Sequence, residues 1–147
     1  MGLYISVTES SGSSDPALTI CAPCGTVIAW TKFAKSESES NILAFLNKVC
    51  PEVESHPDYI CIDKACRVLK HIVAQGLWDT WQQTTIFIVD SYYYRNHHKT
   101  DTRCCTWCNP APTDGSAPNL VITATASDGT CYQKCAFNTQ ACEQLNA

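Results

Sequence analysis

Three acids in this chain have the placement needed to hold a hard cation. Asp63 and Asp90 each close a short apolar run, residues 59–62 and 86–89, and Glu143 falls one turn into a predicted final helix. Runs of that kind read as buried strands, so Asp63 and Asp90 are expected at the ends of neighbouring strands. Clustered carboxylates suit Mg2+, because anionic oxygens match a hard ion and a partly open shell leaves room for phosphate. Two such ions can activate an attacking oxygen and steady a leaving one in phosphodiester chemistry. The plainer alternative is that each acid is an element end facing water.

A second set of residues is soft. Cys21 and Cys24, followed by Gly25, have the spacing of a zinc-knuckle turn, and a strand rather than a helix is predicted after them. That speaks against a redox pair, which normally opens a helix. His97, His98, Cys104, Cys105 and Cys108 form a second cluster, and any four of them could supply a tetrahedral N/S set for structural Zn2+. Cys50, Cys61, Cys66 and Cys142 fall on apolar faces and read as core residues, while Cys131 and Cys135 share one face of a predicted hairpin strand. A hydrolase would need Cys104 or Cys105 activated by His97 or His98, but neither thiol stands at a recognisable helix start.

Composition bounds the partners. The chain has 147 residues, 45% of them hydrophobic and 16% charged, enough for one globular domain with a real core. A net charge of -4 argues against a surface basic enough to grip nucleic acid unaided. The four Trp and six Tyr could stack on bases, although packing is the commoner use. Residues 1–14 lack the basic start and apolar centre of a secretory signal, and no run approaches the roughly 20 apolar residues of a membrane span. The eleven cysteines are therefore expected to be reduced thiols in an intracellular protein. The start MGLYIS does fit the formal myristoylation pattern, with Gly2 and Ser6.

The elements that must position these residues follow from periodicity. Residues 3–8 alternate weakly as a strand and residues 10–16 are a polar loop. Strands are predicted at 17–21 and 26–33, then a helix with Ser36 and Glu39 at capping-box spacing that runs to Cys50-Pro51. A buried strand at 59–62 leads to a helix stopped by Gly76, and a Trp-rich connection leads to the strand at 86–89. Residues 109–119 are irregular. Strands at 120–126 and 130–136 flank Ser127-Asp128-Gly129, a hairpin signal, and Asn138 or Thr139 can cap a last helix that stops with the chain. Alternating strands and helices predict an α/β layer with a parallel portion, whose ligands sit at the carboxyl ends of strands.

The runs ICIDKAC, FIVDSYYYRNHH, CCTWCNPAP and FNTQACEQLNA, preceded by LTICAPCGTVIAWTKF, resemble the catalytic region of KDZ-type transposases over residues 17–147. The closest likeness is to the fungal cysteine-cluster proteins associated with those transposons. The resemblance implies an α/β, RNase H-like mixed sheet with flanking helices, here incomplete. Residues 1–16 would be an N-terminal strand and linker, and residues 17–147 a partial transposase core. It also implies a DDE-type site in which Asp63 and Glu143 hold Mg2+ and Asp90 takes the post-strand position. The family's first acid belongs on a strand before the 17–33 hairpin, where Glu9 and Asp15 lie in or beside a polar loop. Tyr92-Tyr93 stands where an aromatic-His pair is expected, and Cys105 where a polar or basic residue is expected.

The expected function is therefore a mobile-element-derived fragment related to DNA cleavage and strand transfer, inactive alone, with DNA as partner, a nuclear location and no membrane. The alternative is a non-catalytic interaction module stabilised by zinc on Cys21, Cys24, Cys104 and Cys108.

Overall fold

The computed structural model describes residues 4–10, 17–32, 38–96, 100–141 and 144. Strands β1 (Tyr4–Ser10), β2 (Ala17–Cys21) and β3 (Val27–Lys32) come first, then helix α1 (Glu39–Val49) and a single 3-10 turn at Val53–Ser55. Next are β4 (Tyr59–Ile62), α2 (Ala65–Ala74), the short α3 (Trp78–Trp81) and β5 (Ile86–Ile88). Two more short helices, α4 (Ser91–Tyr94) and α5 (Thr102–Trp107), precede the hairpin β6 (Val121–Thr125) and β7 (Cys131–Cys135). The architecture is mixed α/β, as the alternation of periods implies. Among the described residues no helix is long and apolar enough to cross a membrane.

Five strands make one sheet in the order β3-β2-β1-β4-β5, and β6-β7 stand apart as a two-stranded sheet. β1 pairs antiparallel with β2 and parallel with β4, β4 pairs parallel with β5, and β2 pairs antiparallel with β3. β2 therefore runs alone against the other four. Tyr4–Ser10, read from the sequence as an N-terminal strand before the core at residue 17, is the central strand of this sheet. Glu9, expected in or beside a loop, lies within β1 opposite Leu18.

Local chemistry accounts for the helices on one face. Ser38 caps α1 by accepting a hydrogen bond from the Asn41 N–H at 3.2 Å, with Glu39 in the first turn and Lys48 in the last, each sign suited to its end of the helix dipole. The cap is Ser38, not the expected Ser36, which lies outside the described residues. Ile42, Leu43, Phe45 and Leu46 form the buried stripe of α1, and Ala65, Cys66, Val68, Leu69 and Ile72 that of α2. Gly76 ends α2 with φ +70, a conformation that L side chains avoid.

Every residue of β4 is buried, as expected of a parallel strand covered on both faces. Its alternation divides two cores. Ile60 and Ile62 join Phe87, Val89 and the stripes of α1 and α2 in a large cluster with Trp81, Cys104 and Cys108. Tyr59 and Cys61 face the other way, into a small cluster with Ile88, Ala117 and Leu120, flanked by Val121, Cys135 and Phe137.

Candidate functional site

The parallel pair carries an acid after each of its strands. Tyr59, Ile60 and Cys61 pair with Ile86, Phe87 and Ile88. Asp63 and Asp90 each follow the Cys61–Ile88 pair by two residues, just past the carboxyl ends of β4 and β5. Asp63 accepts the Lys64 N–H at 2.8 Å, at the turn into α2. Asp90 is buried, and its Oδ1 caps α4 by accepting the Tyr92 N–H at 2.6 Å. Its Oδ2 is buried with no hydrogen-bond partner among the described residues. A carboxylate oxygen left without a partner inside a protein is costly, so it marks a position where a cation would be welcome.

The chain after the second hairpin returns to this edge. Buried Thr139 accepts the Ser91 N–H through its hydroxyl at 3.3 Å, and its carbonyl accepts the Cys61 thiol at 3.7 Å. Those contacts tie it to the middle of β4 and to the first residue after Asp90. Cys135 flanks the same small core, and its thiol is pushed up mainly by burial, with the Asp90 charge adding to the effect. Asn138 accepts the Gln140 N–H at 3.2 Å, and Gln144 donates to the Gln140 carbonyl at 3.0 Å. Glu143 itself lies outside the described residues.

On the opposite face of β4 and β5 three thiols converge. Asp101 caps α5 by accepting the Cys104 N–H at 3.0 Å, and Cys108 ends the helix by donating its N–H to the Cys104 carbonyl at 3.0 Å. Cys104 and Cys108 are thus one helical turn apart and on one face. Cys66, from the first turn of α2, places its Sγ 2.9 Å from that of Cys104. One ligand atom each from Cys66, Asp101 and Cys104 lie within 4.8 Å of one another. Cys108 lies outside that group of ligand atoms, and its thiol is pushed well above the ordinary thiol range by its neighbour Cys66 and by burial. Burial, then the bond to Cys66, raises the Cys104 thiol in the same direction. The Tyr94 phenol, packed beside this group, is pushed up to about 12 by burial and by Cys105.

Sequence reasoning paired these residues differently. It left any four of His97, His98, Cys104, Cys105 and Cys108 open and joined Cys104 and Cys108 to Cys21 and Cys24, whereas the structure sets Cys104 and Cys108 against Cys66 and leaves half-buried Cys105 beside Tyr94. Cys21 ends β2 opposite Ser6, and Cys24 is exposed in the turn, its thiol 3.2 Å from the Thr26 hydroxyl and lowered chiefly by that bond. Neither enters a group of three or more ligand atoms among the described residues, so a shared site with Cys104 and Cys108 does not form there. β1 separates β2 from β4, while α5 packs beside α2 and β5. His97 and His98 lie outside the described residues.

Two residues of the cluster were missed: Cys66, taken for core, and Asp101. The one available signal was Asp101 three residues before Cys104, an N-cap spacing. The nucleophile alternative fails at Cys104, because a reactive thiol must ionise near neutral pH and this one is buried and raised.

No protein-family model matches the chain, and no curated protein matches it.

Proposed function

We propose that the chain is an RNase H-like domain of the DDE transposase type, related to the KDZ elements, which engages DNA at the acid-bearing end of its sheet and does not cleave it alone. The observation that carries this reading is that Asp63 and Asp90 each follow the last pair of two adjacent parallel strands by two residues, with Thr139 anchoring the following segment to the same edge. The strand order, in which β2 alone runs against a parallel β1-β4-β5 set, is in keeping with an RNase H-like mixed sheet. Asp63 and Glu143 would hold Mg2+, which when bound supplies charge stabilisation for in-line attack on a phosphodiester by water or a DNA 3′-hydroxyl. The third ligand of that scheme belongs on β1. One step beyond the Val7–Ile62 pair, the residue level with Asp63 is Thr8. Thr8 is not an acid, so the scheme is an anionic ligand short and binding without cleavage is the expected behaviour. The same reading places the protein in the nucleus and a structural Zn2+ in the thiol cluster.

The test combines fluorescence anisotropy on a labelled DNA duplex with nicking of supercoiled plasmid in Mg2+. The expected outcome is salt-sensitive binding, no nicking, and binding tightened by Asp63→Asn, which removes a negative charge facing the phosphates. Absence of DNA binding even at low ionic strength would sink the reading. The second reading, a non-catalytic zinc-stabilised interaction module, would then stand, favoured by the buried thiols of Cys66, Cys104 and Cys108.

A further inference from the structure

We propose that Cys66, Cys104, Cys108 and Asp101 are the four ligands of one structural zinc ion, and that this ion fixes the acid-bearing ends of β4 and β5 from the opposite face of the sheet. The inference rests on the zinc part of the reading above and names its ligands and its role.

The donor set suits zinc. Three sulfurs and one carboxylate oxygen match a borderline-soft ion that takes four ligands in a tetrahedron. Zn–S bonds of about 2.3 Å hold two sulfurs roughly 3.8 Å apart. Cys66 and Cys104, now 2.9 Å apart, need only separate a little to admit the ion between them. The helical turn from Cys104 to Cys108 supplies a two-point clip, the N-cap Asp101 supplies the oxygen, and Cys66 closes the site from across the core, 38 residues away from Cys104 in sequence. Metal binding ionises the thiols, whose three protons leave to solvent. With four protein ligands no position is open to substrate, so the site is structural.

Its location gives it a role. Cys66 follows Asp63 by one turn at the start of α2. The Cys108 carbonyl accepts the Val89 N–H at 2.9 Å, and Val89 is the residue before Asp90. An ion joining Cys66 to Cys108 therefore bridges the two chain segments that leave the acids. It sets their separation without touching them.

The experiment uses the full chain purified under reducing conditions. Zinc is counted by mass spectrometry, and cobalt replaces it so that thiolate-to-metal charge transfer reports the number of sulfurs. We expect one equivalent, a tetrahedral spectrum with three thiolates, and zinc affinity lowered at least about 100-fold by Cys66→Ser or Cys108→Ser, beyond the effect usual for outer-shell changes. Cys105→Ser and Cys24→Ser should leave affinity within about 2-fold, well inside that outer-shell range. Cys66→His should keep the metal with weaker charge transfer, which covers the case in which the serine variant does not fold. Hydrogen exchange at the Val89 amide should speed up on chelation.

Stoichiometric zinc indifferent to Cys66→Ser overturns the ligand assignment and leaves zinc binding itself intact. No zinc, with a Cys66–Cys104 disulfide formed by mild oxidant, overturns both. Zinc bound by these ligands with Val89 exchange unchanged on chelation overturns the positioning role.

Discussion

The two faces of the central sheet are built to different depths. On one, β4 and β5 pack against α1, α2, α3 and α5, and Leu18, Ile20, Ile42, Leu46, Ile60 and Ile72 are fully buried within a single cluster. On the other, among the described residues, Tyr59, Cys61 and Ile88 meet Ala117 and Leu120, with Val121, Cys135 and Phe137 partly buried around them, beneath a two-stranded hairpin whose Ile122 and Tyr132 are exposed. Cys66, Cys104 and Cys108 lie in the deep face, Cys61 and Cys135 in the shallow one, which Asp90 borders. The difference bears on each proposed chemistry. If the proposed zinc site is present, burial would keep water from its thiolates, and the proposed DNA contact would fall to the less covered face.

The largest test of that contrast is a pair of truncations. Trp81 is almost fully buried, stacks on His56 at a centroid distance of 3.9 Å and meets Phe87 edge-on at 5.6 Å. Trp81→Ala should cost about 3–5 kcal/mol in urea unfolding, since the rigid surroundings cannot collapse into the space. Leu120, equally buried but in the small cluster, should cost only about 2 kcal/mol as alanine, the low end for leucine, because its thin cover can settle. Equal losses would mean that the hairpin packs as firmly as the helical face, and the contrast would break.

Much of the deep face was legible in the sequence. β2 and β4 have the bounds that their apolar runs predict, and α2 carries its glycine stop and the predicted stripe of Ala65, Val68, Leu69 and Ile72, although Val73, expected in that stripe, is exposed. The hairpin, too, turns at Ser127-Asp128-Gly129 with Gly129 at φ +85. What could not be read was long-range pairing. Nothing local in YISVTES says that it is the central strand, because its partners lie up to 55 residues away in the Tyr4–Tyr59 pair. Strands ending just before Asp63 and Asp90 were expected, but α5 was not expected at all. Thr102–Trp107 is too short for periodicity to reveal, so its cysteines were read as an unordered pool rather than along a helix face. Cys66 was assigned to the core because a buried thiol and a ligand thiol are identical in sequence until a second element arrives beside them.

A smaller effect sharpens the contrast at the acid edge. Asp90 keeps one oxygen as the cap of α4 and buries the other without a partner among the described residues. Asn retains the capping oxygen and replaces a buried charge with a neutral amide, which is cheaper to bury. Asp90→Asn should therefore stabilise the fold by roughly 1 kcal/mol, read as a higher urea midpoint with unchanged slope. Loss of stability would instead mean that the carboxylate is balanced by a partner, and that the shallow face is as internally satisfied as the deep one.

The smallest effect lies on the deep face and is read through pH. His56 stacks on Trp81, its Nδ1 is 3.1 Å from the Thr84 hydroxyl, and burial holds its pKa below the ordinary imidazole value, against weaker opposing pulls from the Cys50 backbone and Glu54. With the folded-state pKa depressed, the unfolded chain binds the proton first as pH falls. Stability from this group is therefore complete above the unfolded value of about 6.5 and declines as pH drops through it toward the folded value, then levels off. Urea midpoints taken at about pH 7.5 and about pH 5.5, on either side of that value, should fall further for the wild type than for His56→Phe, which keeps a ring on Trp81 but cannot ionise. Parallel curves would show that the imidazole is as free as in the unfolded chain. A wild type that gains on the variant in acid would reverse the sign and place a negative partner, rather than the apolar wall of Trp81, in control of His56.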